Sequence, residues 1–216
     1  MTSNRKIALV AGICYLLTFV SIPTLALYVP VHSPNYITGH GPDTAVIIGG
    51  VLEIIVALAG ISTAVILYPI LRKKHESAAI GLIAARILES GTIFVGVAFL
   101  LSIVTLRQTG GGVGAIGQTL AILYDRIFLL GQSFMPAICD LLLGIMLYRS
   151  RLVPRALALI GIIGAIPLLA GYFAILFGFI GQHSALAGLS AVLVALFEFS
   201  LGLYLVINGF KLSLLK

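Results

Sequence analysis

Residues 64–83 read AVILYPILRKKHESAAIGLI. A charged turn, Arg72-Lys73-Lys74-His75-Glu76, interrupts two long apolar runs, Ala45 to Leu71 and Ala78 to Leu106. About 20 apolar residues suffice for a helix to cross the hydrocarbon of a bilayer, and each run exceeds that. Lipid cannot satisfy backbone hydrogen bonds or charged side chains, so each run is read as a helix and the basic turn as a surface connection. A connection this short makes the two helices antiparallel neighbours.

Working outward, four more apolar runs follow the same pattern: Ile7 to Val29, Gln118 to Tyr148, Ala156 to Phe179 and Ser184 to Phe210. The sequence predicts an all-α, polytopic transmembrane helix bundle with six spans, about 7–29, 45–71, 78–106, 118–148, 156–179 and 184–210, forming a single transmembrane domain over 1–216. Composition agrees. The chain is 60% hydrophobic and only 9% charged, with a mean hydropathy of +1.18. A soluble domain carries about 25% charged residues. The first run is longer than the roughly 7–15 residues of a signal-peptide core and is read as a span. Pro136 and Pro167 fall inside runs and are expected to mark kinks.

The formal net charge of +6 does not point to nucleic acid, because the basic residues lie in short connections between apolar runs. They serve as topology signals, and the lipid bilayer is the expected partner. Arg5 and Lys6, then Arg72, Lys73 and Lys74, then Arg149, Arg151 and Arg155, then Lys211 and Lys216 alternate onto one side; the opposite loops carry only Arg107. Both termini are therefore expected in the cytoplasm, which requires an even number of spans. Cys14 and Cys139 have no partner at metal-ligand spacing and read as small apolar residues.

The chemistry-bearing residues are the ionisable ones within the spans: Glu53, Arg86, Glu89, Asp125, Arg126, Asp140 and Glu198. A charge at the bilayer centre costs about 2.5–3.5 kcal/mol on insertion scales, so these side chains should face the bundle interior. Thr119, Arg126, Ser133 and Asp140 recur every seven residues and should form one polar stripe. Glu53 shares a face with Gly49, Ala57, Gly60 and Ala64, and Glu198 with Gly188, Ala191, Ala195 and Gly202; small residues let helices approach closely. At about 1.5 Å per residue, Arg86, Glu89, Asp140 and Glu198 reach similar depths and form a candidate proton- or ion-binding cluster, with Arg86 pairing to Asp140 or Glu198. Glu53, Asp125 and Arg126 lie nearer the outer side as a second candidate cluster, with Arg126 pairing to Glu53 or to its own neighbours. Five acids face two arginines, and carboxylates in excess of cations take up protons or bind a cation. The same charges can also act purely as interhelical glue.

His32, His40 and His183 map to the outer side near Asp43 and are weak metal-ligand candidates, since their spacing matches no zinc signature. No phosphate-binding loop, His-Glu-x-x-His motif or nucleophile elbow is present in the sequence. No catalytic residue and no cofactor is assigned.

Three segments carry a family resemblance: Arg86-Ile87-Leu88-Glu89, the stretch from Leu147 through Arg149 and Pro154 to Arg155, and the stretch from Glu198 through Gly202 and Tyr204 to Phe210. Together they resemble a bacterial family of six-helix membrane proteins catalogued as domain of unknown function 4386. That family's last helix often carries Trp where this sequence has Tyr204. The resemblance implies a bacterial inner-membrane location and a six-helix plan, and it implies no activity. The leading expectation is a small proton- or cation-linked transporter, non-enzymatic, for which a homodimer is a candidate assembly. The alternatives are an intramembrane enzyme acting on lipid or peptide, and a non-catalytic sensor or accessory subunit.

Overall fold

With no water to bond the backbone, apolar runs of this length close their hydrogen bonds internally as helices. The computed structural model describes residues 3–33, 35–39, 42–110 and 113–211, and within them regular structure is helical. His40, Lys216 and the loop glycines Gly111 and Gly112 lie outside the described residues. The helices are α1 (Ser3–Leu17), α2 (Thr24–Leu27), α3 (Thr44–Gln108), α4 (Gly114–Leu129), α5 (Met135–Ser150), α6 (Arg155–Leu176) and α7 (Ala185–Ile207). Among the described residues, five helical stretches are long and apolar enough to cross a membrane: Ser3–Leu27, Thr44–Gln108, Gly114–Ser150, Arg155–Leu176 and Ala185–Ile207. Large apolar side chains cover the outside: Leu25, Leu88, Ile166 and Leu189 are each more than 60% exposed. Exposed apolar surface on this scale marks contact with lipid.

The expected spans 45–71 and 78–106 both fall within α3, whose 65 residues would stretch about 97 Å if straight, at about 1.5 Å per residue. It is not straight. His75 leaves helical geometry (φ −144°, ψ 54°), and the hydroxyl of Ser90 donates to the carbonyl of Ala57 at 2.8 Å. Residues 33 apart meet because α3 folds back on itself at the basic turn. The small-residue face carrying Glu53 is buried along Gly49, Ala57, Gly60 and Ala64.

The first apolar run is not one helix. After α1 come a tight 3-10 turn (Thr18–Ser21), α2, and a second such turn (Val29–His32). Thr18 donates to the carbonyl of Tyr15 (2.7 Å) and Thr24 to that of Ser21 (2.6 Å). Pro23 supplies no N–H.

A π turn, Leu130–Phe134, separates α4 from α5. Pro136, just beyond it, lacks the N–H of a regular helix, and the wider turn accommodates the missing bond. The same turn overturns the expected polar stripe. A π turn inserts a residue and rotates everything after it by about one residue's angle. Asp140 is buried, Ser133 is half-buried, and Thr119 and Arg126 are exposed.

Packing gathers the basic residues at one end. The Arg5 guanidinium donates to the last carbonyls of α7, those of Leu205 (2.8 Å), Val206 (2.5 Å) and Ile207 (3.1 Å), which a helix leaves unpaired. The N–H of Lys211 donates to the carbonyl of Leu152 (2.8 Å). Helix α1 lies against α7 so closely that a Cβ on Gly12 would stand 2.7 Å from the Gly202 carbonyl oxygen. A core including Ala8, Leu71, Leu82, Leu147, Phe197 and Leu201 fills this end.

Candidate functional site

Arg86 sits on the second arm of α3, is 2% exposed, and organises the inner cluster. One guanidinium nitrogen, Nη1, donates to both carboxylate oxygens of Glu89, at 3.0 and 2.9 Å. The other, Nη2, donates to Glu198 Oε1 of α7 at 2.6 Å and stands 3.8 Å from Asp140 Oδ1 of α5. The structure thus brings Arg86, Glu89, Asp140 and Glu198 together from three helices. Both Asp140 oxygens and the Nε–H of Arg86 are buried without a hydrogen-bond partner among the described residues. Glu89 also accepts from Cys139 Sγ at 3.4 Å. The ring of Tyr15, from α1, faces the guanidinium at 5.8 Å, within reach of a cation–π attraction.

Glu89 and Glu198 with Arg86 line a cavity of 320 Å³ whose other walls include Ser90, Gln132 and Leu168. The break in the first apolar run makes this space. At Phe19 the chain still touches α7, edge to face with Phe199 at 5.3 Å. The 3-10 turn and α2 pack on α3, and exposed Ile22, Leu25 and Ala195 stand at the cavity's rim.

The second expected cluster does not assemble. Glu53 is 1% exposed and accepts from the Tyr124 hydroxyl (3.0 Å) and the Gln132 amide (3.2 Å). Asp125 turns the other way, to His32. Arg126 is exposed and pairs with neither. Consecutive helical residues point about 100° apart, so Tyr124, Asp125 and Arg126 serve three different surfaces.

The outer histidines meet a different acid from the one expected. His32 Nε2 lies 3.0 Å from Asp125 Oδ1, and the rings of His32 and His183 stand edge to face at 5.6 Å. One ligand atom from each of His32, Asp125 and His183 lies within 4.8 Å of the other two. The Asp125 contact raises the proton affinity of His32 above its ordinary value, against the opposing effect of partial burial. Asp43 is occupied elsewhere. It accepts from Arg107 (2.5 Å), Tyr36 (2.9 Å) and Gln108 (3.1 Å); burial works to raise its pKa, but these donors outweigh it and hold the carboxyl below its usual range. His32, Asp125 and His183 border a cleft of 560 Å³. The cleft and the inner cavity share Thr24, Leu25 and Phe128 as walls, so they adjoin.

Tyr15, Cys139, Tyr124 and Gln132 are the participants that sequence reasoning missed. Tyr15 and Cys139 lie in apolar runs where nothing distinguishes them from packing residues. Gln132 belongs to the π turn, whose phase shift the helical repeat cannot show.

Residues 10–209 match the family model described as domain of unknown function (DUF4386). Neither the curated proteins nor the solved structures gave a match.

Proposed function

The chain belongs to the DUF4386 family, and from that premise we propose that it is a small membrane carrier in which carboxylates around Arg86 take up protons or a small cation. The observation that carries this reading is the surplus of acids around Arg86, two of which line the inner cavity. Glu89, Asp140 and Glu198 surround one guanidinium. Fully ionised, the group would hold two uncompensated negative charges where burial makes them very costly. Protons or a bound cation must offset them, and the cavity offers a path to the cluster. Its largely apolar walls suit a small amphiphile that carries a polar group toward Arg86.

The reading includes six spans, counting α3 as two because it folds back at His75. It sets the basic end, with Arg5, Arg72, Arg149 and Arg155, on the cytoplasmic face of a bacterial inner membrane, by the bias of Lys and Arg toward cytoplasmic loops.

Infrared titration of the protein in lipid, comparing wild type with Glu89→Gln and Glu198→Gln, tests it. A carboxyl band that titrates near neutral pH and disappears in one variant is the expected result. No titrating band, with both variants only less stable, would make the cluster interhelical glue and the protein a non-transporting interaction partner.

A further inference from the structure

We propose that His32, Asp125 and His183 form a binding site for a divalent transition-metal ion such as zinc at the outer mouth of the cleft. The inference is independent of the carboxylate cluster around Arg86.

Four observations support it. The ligands converge from separate parts of the chain: the turn after α2, the fourth helix, and the connection before α7. Their ligand atoms lie within 4.8 Å of one another. Zinc bonds of about 2.0–2.2 Å place tetrahedral ligand atoms about 3.3–3.6 Å apart, so modest side-chain rotations close the site.

His32 faces an oxygen acceptor on each of its ring nitrogens. Its Nδ1 lies 3.2 Å from the Tyr28 carbonyl oxygen, which can only accept, so Nδ1 carries the hydrogen. In the neutral ring Nε2 then presents a lone pair, and it points at a carboxylate oxygen 3.0 Å away. Two acceptors facing each other repel unless a ring proton or a metal ion joins them, and the zinc titration below separates the two. A metal-ligating histidine usually donates its other ring N–H to a carbonyl or carboxylate, as Nδ1 does here.

The flanking chain is also pinned. Gln182 Nε2 donates to the Asp125 carbonyl at 3.0 Å, and Ser184 caps α7 by accepting from the Ala187 N–H at 3.3 Å. His183 is held between them, beside Asp125. Two imidazoles and a carboxylate suit zinc. They leave a fourth position facing the cleft, where Tyr28, Tyr124 and Phe128 form walls. Three protein ligands with an open position are the arrangement that lets a bound metal polarise an added ligand or water.

The test is zinc titration of the untagged full chain in lipid nanodiscs by calorimetry, repeated with cobalt while recording the visible spectrum. We expect one zinc per protomer, with cobalt giving the intense visible bands of four-coordinate geometry. Asp125→Asn and His183→Ala should each weaken zinc tenfold or more and abolish those bands, while unfolding temperature in the absence of metal stays near that of wild type. His75→Ala, at the opposite end of the molecule, should leave zinc affinity unchanged. Absence of saturable zinc binding by the wild type, or equal binding by the Asp125 and His183 variants, would overturn the proposal and leave a protonated His32 paired to Asp125.

Discussion

Arg86 Nη2 donates to Glu198 Oε1 at 2.6 Å, joining residues 112 apart in the sequence across α3 and α7. The same guanidinium holds Glu89 through its other nitrogen, so one buried cation ties its own helix to the last. Removing it would leave three acids facing one another in an apolar interior. Arg86→Ala should cost about 3–5 kcal/mol, the usual penalty for stranding buried charge. Glu198→Gln, which keeps an acceptor for Nη2, should cost much less. Unfolding in mixed micelles, compared between the two variants, measures the difference.

Glu53 presents a neutral analogue of that arrangement, with Tyr124 and Gln132 as its donors. Its Oε2 is buried without a hydrogen-bond donor among the described residues. Tyr124→Phe removes one of the donors without changing shape and should destabilise the protein by about 1–2 kcal/mol. Tyr172→Phe serves as a control: its hydroxyl does not reach the buried acid, so the effect should be small. Thermal unfolding of both in the same detergent decides the comparison.

The α1–α7 contact depends on absent side chains. A Cβ at Gly12 would meet the Gly202 carbonyl oxygen at 2.7 Å and the Val206 nitrogen at 2.9 Å. Both are backbone atoms and cannot rotate away. Gly12→Ala should therefore cost about 1–3 kcal/mol. A Cβ on Gly91 would meet nothing within 4 Å, and Gly91→Ala should stay within about 0.5 kcal/mol of wild type. Equal effects of the two substitutions would show that the helices do not pack this closely.

At the end opposite the basic turn, Asp43 holds Arg107, whose guanidinium also donates to the Gly39 carbonyl at 3.1 Å. The carboxyl lies below its ordinary value in the folded protein. A group lowered on folding stabilises the protein fully above its unfolded value, about 3.9 for Asp. That contribution disappears as pH falls through the lower, folded value. The unfolding temperature of wild type should therefore drop below about pH 4, and Asp43→Asn should flatten that acid limb. Unfolding curves from pH 2.5 to 6 test the sign.

Much of this architecture is legible in the order of the residues. Runs such as Ala45 to Leu71 must be helical because lipid offers the backbone no other partner. The charges of Arg72, Lys73 and Lys74 must stand outside the hydrocarbon, which puts the turn of the α3 hairpin at the one place it occurs. The cost of burying Arg86 and Glu89 likewise directs them to the interior, and their three-residue spacing brings them together on one helix.

The helical repeat cannot anticipate its own interruptions. The π turn at Leu130–Phe134 rotated Asp140 into the core and left Arg126 outside, undoing a stripe drawn at seven-residue spacing. Tight turns at Thr18–Ser21 and Val29–His32 interrupt the first span, and Thr18, Phe19 and Ser21 of the first of them line the cavity beside Arg86. Pairing between distant segments was decided only by packing. His32 meets Asp125 while Asp43 pairs with Arg107, and Tyr15 reaches Arg86 from an α1 that packs closely on α7 at Gly12. Sequence determined which segments enter the membrane, because transfer into lipid is a local property of each run. Tertiary structure decided which polar groups meet there, because a contact across 112 residues depends on every helix phase and kink between them.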